Sequence, residues 1–253
     1  MTPRTRCALL IDRPASGDWN MAVDEALLES FIDRDVCCWR FYGWSEPTLS
    51  LGYFQAHDDR RRHPASLACP VVRRASGGGA IVHDVELTYS LIAPAETPLA
   101  NQRERLYRTV HETLIETLVQ LGVHGASLFG HPSAVRHDES PFLCFERRSP
   151  GDVVYGGAKI AGSAQRRRRG AVLQHGSILL GRSTAAPELP GIEELASRKL
   201  SKNTLMEAWR PRLQEHLGLA FFERPLENGE QTRADELVRA KYASDLWTRN
   251  RTA

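Results

Sequence analysis

From Asp18 onward, Val23, Leu27, Leu28, Phe31 and Ile32 fall on one face at helical spacing, which predicts a helix capped by Asp18 and running to about Ile32. Short apolar runs follow at 36–42, 48–53, 71–73, 80–83 and 87–93. Each has strand length and is set off by Gly or Pro, the pattern of an antiparallel-rich sheet. Leu106, Val110, Leu114, Leu118 and Leu121 keep register through a longer predicted helix, 103–121, with Gly122 just beyond its end. Further strands are predicted at 152–155, 170–174 and 177–180. The last seventy residues read as helical: Leu205, Met206, Trp209, Leu213 and Leu217 keep helical spacing, with Pro211 expected to kink or divide the segment. Thr232-Arg233-Ala234-Asp235 predicts a capping-box start for a terminal helix through Leu237, Tyr242 and Leu246. The expected class is α+β, a central mixed and largely antiparallel sheet flanked by helices. With no internal repeat or low-complexity linker, residues 1–253 are expected to form a single domain.

Composition adds little to this picture but excludes several classes. Of 253 residues, 42% are hydrophobic and 25% charged, ordinary values for a globular protein. No apolar run approaches the ~20 residues that span a bilayer. Cys7–Ile11 follows a basic start but meets Asp12-Arg13-Pro14 at once, too short for a signal sequence, so it reads as a first strand and the expected location is the cytoplasm. The net charge of +2 hides two clumps, Arg60-Arg61-Arg62-His63 and Arg166-Arg167-Arg168-Arg169. A solvated loop explains the first as well as an anionic partner does; the second follows directly on Lys159, which adds weight to a partner. Aromatics are not interleaved with either clump, which argues against nucleic acid.

The five cysteines, Cys7, Cys37, Cys38, Cys69 and Cys144, form no Cys-x-x-Cys pair, which argues against a disulfide framework or a structural zinc site. Four sit in apolar, strand-like settings where a small buried hydrophobe is expected. Cys144 differs, because the loop-like Glu139-Ser140-Pro141 leads into it. Three other segments could carry chemistry. In Arg74-Ala75-Ser76-Gly77-Gly78-Gly79, the glycines either let backbone approach a ligand closely or make a tight bulged hairpin turn. Lys159 stands among small and apolar residues, flanked by Gly156-Gly157 and Gly162-Ser163, which points to a partly desolvated ammonium. His175 lies in Gln174-His175-Gly176-Ser177 and alone reads equally as a structural histidine.

Together these segments acquire a pattern. Arg73–Asp84, Lys159-Ile160-Ala161-Gly162-Ser163-Ala164-Gln165 and Gln174-His175-Gly176-Ser177-Ile178-Leu179-Leu180 resemble the lipoate-protein ligase A and octanoyltransferase family, which shares its catalytic fold with biotin protein ligases. Asn20–Leu28, Trp39–Gln55 and Lys241–Trp247 are similar to it as well, so the resemblance spans nearly the whole chain in order. Ligases of the family commonly lack a cysteine where Cys144-Phe145 stands and often carry His-His-Gly-Thr in place of Gln174-His175-Gly176-Ser177. The chain is therefore most similar to the cysteine-dependent octanoyltransferases, although Arg147-Arg148 and Gly151-Asp152 depart from the small and aromatic residues frequent there.

The resemblance implies transfer of an octanoyl or lipoyl group from acyl carrier protein, through a Cys144 thioester, to a lysine of lipoyl-domain proteins such as the glycine cleavage H protein or the E2 of 2-oxoacid dehydrogenases. Cys144 and Lys159 would be catalytic. Arg74, Ser76, Gly77, Gly78, Gly79, His83, Gly162, Ser163, Ala164, Gln165, His175 and Gly176 would bind substrate, with no metal. No cofactor is implied for transfer. ATP and Mg belong to the alternative, an ATP-dependent lipoate-protein ligase; a lipoyl amidotransferase is a further alternative. A thiol is only a few per cent thiolate at neutral pH, and a neighbouring ammonium raises that share. An apolar tunnel is expected for the acyl chain, with 76–79 and 162–164 near the thioester. Either His175 or Lys159 would assist removal of the acceptor's proton, and Arg166–Arg169 would attract acidic carrier or lipoyl domains.

Overall fold

The computed structural model describes residues 4–130 and 141–252. Glu139 and Ser140, expected in the loop before Cys144, lie outside the described residues. In chain order the elements are β1 (Thr5–Ile11), α1 (Gly17–Phe31), β2 (Cys37–Tyr42), β3 (Thr48–Leu51), β4 (Val71–Arg73), β5 (Ile81–His83), β6 (Glu86–Ala93), α2 (Arg103–Gln120), β7 (Ala126–Leu128), β8 (Val153–Tyr155), β9 (Ala158–Arg168), β10 (Ala171–Leu179), α3 (Ile192–Ala196), α4 (Lys202–His216), β11 (Leu219–Glu223) and α5 (Asn228–Leu237). Eight strands form one sheet in the order β11-β1-β2-β6-β10-β9-β8-β7. β1 pairs parallel with both β11 and β2, and every later pairing is antiparallel. The expected α+β class with a mixed, largely antiparallel central sheet is therefore found.

Strand alternation explains how this sheet carries both a core and a site. In β6, Leu87, Tyr89, Leu91 and Ala93 join the core beneath α2 and α4, around Trp39 and Trp209. The intervening Glu86, Thr88 and Ser90 are also buried, yet polar, and face the other side. In β2, Cys37, Trp39 and Phe41 likewise face α2 and α4, whereas Cys38 and Tyr42 enter the core formed by α1 and α5. Trp39 is the hub of the first core, stacked on Tyr89 with ring centroids 5.1 Å apart and edge-on to Trp209 at 5.8 Å. A burial of both faces explains why β2 reads as an unbroken apolar run apart from Arg40.

A second, three-stranded sheet, β4-β3-β5, was not foreseen. β3 lies between the other two, parallel to β4 and antiparallel to β5. The glycine segment between β4 and β5 thus does not close a hairpin; it crosses over the end of β3, and the bulged-hairpin reading fails. Leu49, Leu51 and Val82 of this sheet, with Ala80 just before β5, pack with Phe142 and Leu143, which brings the segment before Cys144 to the sheet edge.

Four other expectations change. The helix at 17–31 is flanked by Ser16, and Asp18 sits in its first turn, where its carboxylate favours the positive end of the helix dipole. The predicted strands 170–174 and 177–180 are one strand, β10, because His175 and Gly176 pair without interruption to Ser90 and Tyr89. Its long partner β9 was unpredicted, and Arg169 and Gly170 join the two in a tight turn with φ of 46° and 85°. Pro211 leaves α4 undivided; the terminal α5 begins at Asn228 rather than Thr232, where the Glu230 carboxylate accepts from the Glu227 amide at 3.0 Å.

Candidate active site

Cys144 opens a single 3-10 turn, Cys144–Glu146, directly after a bridge between Ala80 and Leu143. Its amide donates to Ala80 O at 2.7 Å, which ties the residue to the start of β5. Lys159 reaches it from the start of β9: Nζ donates to Cys144 Sγ at 3.7 Å. The same Nζ pairs with Asp152 Oδ2 at 2.9 Å, with side chains 5% and 1% exposed, and lies 5.3 Å from the centre of the Phe145 ring. Asp152 is itself fixed, accepting from Tyr107 Oη at 2.7 Å and from the Ser149 amide at 2.7 Å. A buried, fully partnered ion pair thus holds one ammonium against one sulfur. Glycine at 162 permits it, since a Cβ there would stand 2.4 Å from Lys159 Cε and 2.7 Å from Nζ. The close approach expected at Gly162 is real, but it is made by the lysine.

The triple-glycine segment is built for a comparable purpose. Gly78 has φ 98°, open to glycine at little cost. A Cβ on Gly79 would meet the Cys144 nitrogen at 3.0 Å and its Cα at 3.1 Å, so the third glycine seats the cysteine backbone. Arg74, expected to offer charge to a ligand, spends its donors on the turn: Nη2 donates to Gly77 O at 2.9 Å and Gly79 O at 2.6 Å, and Nη1 to Ser50 O at 2.9 Å. Burial pushes it down to about 10, still cationic at neutral pH. Arg73 likewise donates to Gly52, Tyr53, Gln55 and Thr248 carbonyls, tying the chain end to this loop.

A cavity of about 160 Å³ opens beside the sulfur. Met21, Tyr42, Ile81, Phe145 and Ala164 give it apolar wall. Of the residues expected from sequence, Cys144, Lys159, Arg74, Gly77, Gly78, His83, Gly162, Ser163, Ala164, His175 and Gly176 line it. Gly79 lies beneath Cys144 instead. Gln165 turns to Gln174 at 2.7 Å and Arg103 O at 3.0 Å. Ser76 lines a neighbouring cavity of about 20 Å³ that shares His175 and Met21 with the first.

Two imidazoles face the main cavity. His83 bonds Glu86 Oε1 through Nδ1 at 2.6 Å and stacks on Trp44 at 3.9 Å. Burial opposes charge on Glu86, but His83, Thr88 and Ser177 together hold its carboxyl below the usual range. His175 Nε2 is hydrogen-bonded to Ser76 Oγ, and Nδ1 stands 3.8 Å from Asp24 Oδ2. Asp24 accepts from Arg40 Nη1 and Ser90 Oγ, each at 2.9 Å, and from Tyr42 Oη at 3.1 Å. Burial would raise its carboxyl; the facing His175 ring and the Arg40 guanidinium outweigh this and lower it.

Several site residues escaped the sequence: Asp152, Tyr107, His111, Tyr89 and Asp24. His111 donates from Nδ1 to Gly151 O at 2.6 Å, so Nε2 accepts the Ser163 hydroxyl at 2.7 Å. Ser163 then accepts from Tyr89 Oη at 2.6 Å, and Tyr89 from Gln174 Nε2 at 3.1 Å. This one-directional chain fixes Ser163. Burial drives His111 down to about 4, so it is the neutral acceptor the chain needs. The spacing of Tyr107 and His111, four residues apart on α2, was the available signal.

The other cysteines are as expected for packing residues in part: Cys7, Cys37 and Cys38 are buried, and burial pushes the Cys37 thiol up to about 12. Cys69 is only half-buried and lies in a turn rather than a strand. The arginine run is mostly occupied within the protein. Arg166 donates to Ala75 O, Arg167 to Ala100 O at 3.2 Å, and Arg168 pairs with Glu29 at 2.8 Å. Among the described residues no group of His, Cys, Asp and Glu could hold a metal ion, and no helix is long and apolar enough to cross a membrane.

The lipoyl protein ligase A/B catalytic domain matches residues 16–189. Octanoyltransferase LipM of Symbiobacterium thermophilum is 35% identical, over 91% of this chain and 93% of its own. Octanoyltransferase LipM of Bacillus subtilis is 31% identical, over 94% and 95%. Among solved structures, lipoate-protein ligase A bound with ATP superposes with a TM-score of 0.72 at 24% identity, covering 98% of each chain. The bipartite lipoate protein ligase of Thermoplasma acidophilum, solved with its E2 lipoyl domain, gives 0.70 at 22%, covering 99% of this chain and 98% of its own.

Proposed function

The chain belongs to the lipoyl protein ligase A/B catalytic-domain family, and on that premise we propose that it is an octanoyltransferase of protein lipoylation that carries the acyl group as a thioester on Cys144. Relatives named octanoyltransferase align with nine-tenths or more of the chain. The observation that carries the covalent route is the Lys159 ammonium 3.7 Å from Cys144 Sγ at the wall of a part-apolar cavity.

The chemistry follows from that contact. A cation beside the sulfur stabilises negative charge there, and thiolate is the nucleophile. It attacks the carbonyl of an octanoyl thioester; the carbon–sulfur bond of the donor breaks, and the donor sulfur leaves as a thiolate that takes its proton from solvent. Gly77 and Gly78 line the cavity, and backbone amides there would stabilise the oxyanion, a contribution typically of ~3 kcal/mol per donor. Asp152 keeps Lys159 in place through both half-reactions. A second attack, by a lysine amine of the acceptor, yields the amide and returns the thiolate. Because the donor is already an activated thioester, the reaction needs no nucleotide. The donor in this reading is octanoyl-acyl carrier protein, and the acceptors are lipoyl domains of the H-protein and E2 type.

The test uses purified protein, octanoyl-acyl carrier protein and an apo lipoyl domain without ATP. The lipoyl domain gains one octanoyl group with the wild type and none with Cys144→Ala. Modification that occurs only with free octanoate and ATP would replace this reading with a ligase.

A further inference from the structure

Strand register gives the cavity beside Cys144 a direction. Gly162 pairs with Ser177, Ser177 with Thr88, and Thr88 with Tyr42, one directly opposed row across β9, β10, β6 and β2. All four residues line the cavity. Neighbouring strands stand ~4.8 Å apart, so the row spans about 14 Å. The thiol belongs to the Gly162 end: the Lys159 Nζ that donates to Cys144 Sγ would lie 2.7 Å from a Cβ at Gly162. Beyond Lys159 the cavity meets Asp152, a carboxylate bonded to Tyr107 Oη and the Ser149 amide, which is hostile to an alkyl chain. An acyl chain on the sulfur therefore runs the other way, from Gly162 toward Tyr42.

Side-chain size grows along that row, from glycine through serine and threonine to the phenol ring. Its hydroxyl protons are spent away from the chain. Ser177 Oγ donates to Glu86 Oε1 at 2.9 Å, and Thr88 Oγ1 donates to the same atom at 2.5 Å. Tyr42 Oη donates to Asp24 Oδ2 at 3.1 Å. A row that is polar in sequence thus has no hydroxyl proton left for a ligand. Tyr42 is also fixed in place, 3% exposed and with the Arg40 guanidinium 4.0 Å from its ring centre. Met21, from α1, lines both this cavity and the small one of about 20 Å³, so its side chain is part of the partition between them.

The row has the length of one particular chain. An extended chain advances ~1.2 Å per bond, so the eight bonds from sulfur to the last carbon of an octanoyl thioester span roughly 10 Å. Van der Waals contact with the ring at the far end takes up about 4 Å more. We propose that Tyr42 is the stop that sets the length of the acyl chain, with Met21 as the side wall that keeps the chain on the row. This rests on the octanoyltransferase reading and adds which residues select eight carbons. Each strand crossed corresponds to about four carbons, so bulk added on the row shortens the accepted chain according to its position.

The test offers the protein an equimolar mixture of hexanoyl-, octanoyl-, decanoyl- and dodecanoyl-acyl carrier protein and reads the acyl-enzyme by intact mass. In the wild type the octanoyl adduct dominates, and the dodecanoyl adduct falls below it by roughly 10-fold or more. Tyr42→Leu raises the ratio of longer adducts to octanoyl by roughly 10-fold or more, and Met21→Ala moves it the same way by less. Thr88→Leu moves the optimum to hexanoyl. Tyr42→Phe keeps the ring and the octanoyl optimum, which separates chain length from the lost bond to Asp24. Any acyl adduct also reports that a variant is folded; should Tyr42→Leu load nothing, Met21→Ala and Thr88→Leu decide. An octanoyl optimum that persists in Tyr42→Leu or in Thr88→Leu overturns the assignment, as does a wild type that takes dodecanoyl as readily as octanoyl. Absence of any acyl adduct in the wild type overturns the octanoyltransferase reading itself.

Discussion

At the scale of single residues, the site depends on small side chains as much as on reactive ones. Gly162 is the sharpest case, because any Cβ there occupies the space of the Lys159 stem. Gly162→Ala is expected to lower transfer on the order of 100-fold by displacing the ammonium, with the unfolding midpoint nearly kept. Steady-state rates and a denaturant curve on the same sample check both halves of that statement. His111 adds a pH dependence. An unfolded histidine binds its proton near pH 6.5, whereas burial holds folded His111 at about 4. Between those values the unfolded chain carries more protons, so the contribution is full above about 6.5 and is lost as pH falls toward 4. Its size is on the order of a few kcal/mol. Urea denaturation across this range should show stability falling with pH in the wild type, and a flatter curve in His111→Gln. The motif residues Cys144, Lys159, Gly162 and His175 were legible in the sequence because their neighbours are unusual for their type. Asp152 was visible only as a departure from the family pattern, since nothing local says that its carboxylate meets a lysine seven residues on.

At the scale of elements, what was legible follows how local each element's reasons are. Helix α2 has its whole apolar stripe in its own sequence and was found within a residue. Strand β9 was not, because Ala158–Arg168 has no period-two pattern; its side chains are chosen to meet Asp152, Tyr89, His111 and Glu29. Strand β11 merges into a helical stretch and exists only through its parallel register with β1. The start of α5 was misplaced for a similar reason. Thr232–Asp235 fits the local rule, but Glu230 is buried and anchored by Arg224 at 2.7 Å from outside the helix. The chain's last described turn has a structural task as well. Trp247 Nε1 donates to Arg73 O at 2.9 Å, and Arg73 donates twice to Thr248 O. Trp247→Ala should cost about 3–5 kcal/mol, read from chemical denaturation, and should speed proteolytic cleavage near 52–55. A loss under about 1 kcal/mol would show that this staple is dispensable.

At the scale of the whole molecule, the candidate active cavity lies where two sheets meet. The large sheet contributes Lys159 and His175 from adjacent strands and Thr88 from β6. The small sheet contributes the triple-glycine crossover and, through the Ala80–Leu143 bridge, the backbone that seats Cys144. That division explains why the class of fold was readable from strand runs while the second sheet was not: its three short strands each showed as an apolar run, but nothing local says that they pair with one another apart from the large sheet. The account as a whole stands on Cys144 holding an acyl group between two protein partners. Incubation with octanoyl-acyl carrier protein alone, followed by intact-mass and peptide mapping, addresses this directly. The expected result is one octanoyl group per chain, on Cys144, released by hydroxylamine and missing from Cys144→Ala. An unmodified protein that still octanoylates a lipoyl domain, or an acyl group mapped to another residue, would contradict it.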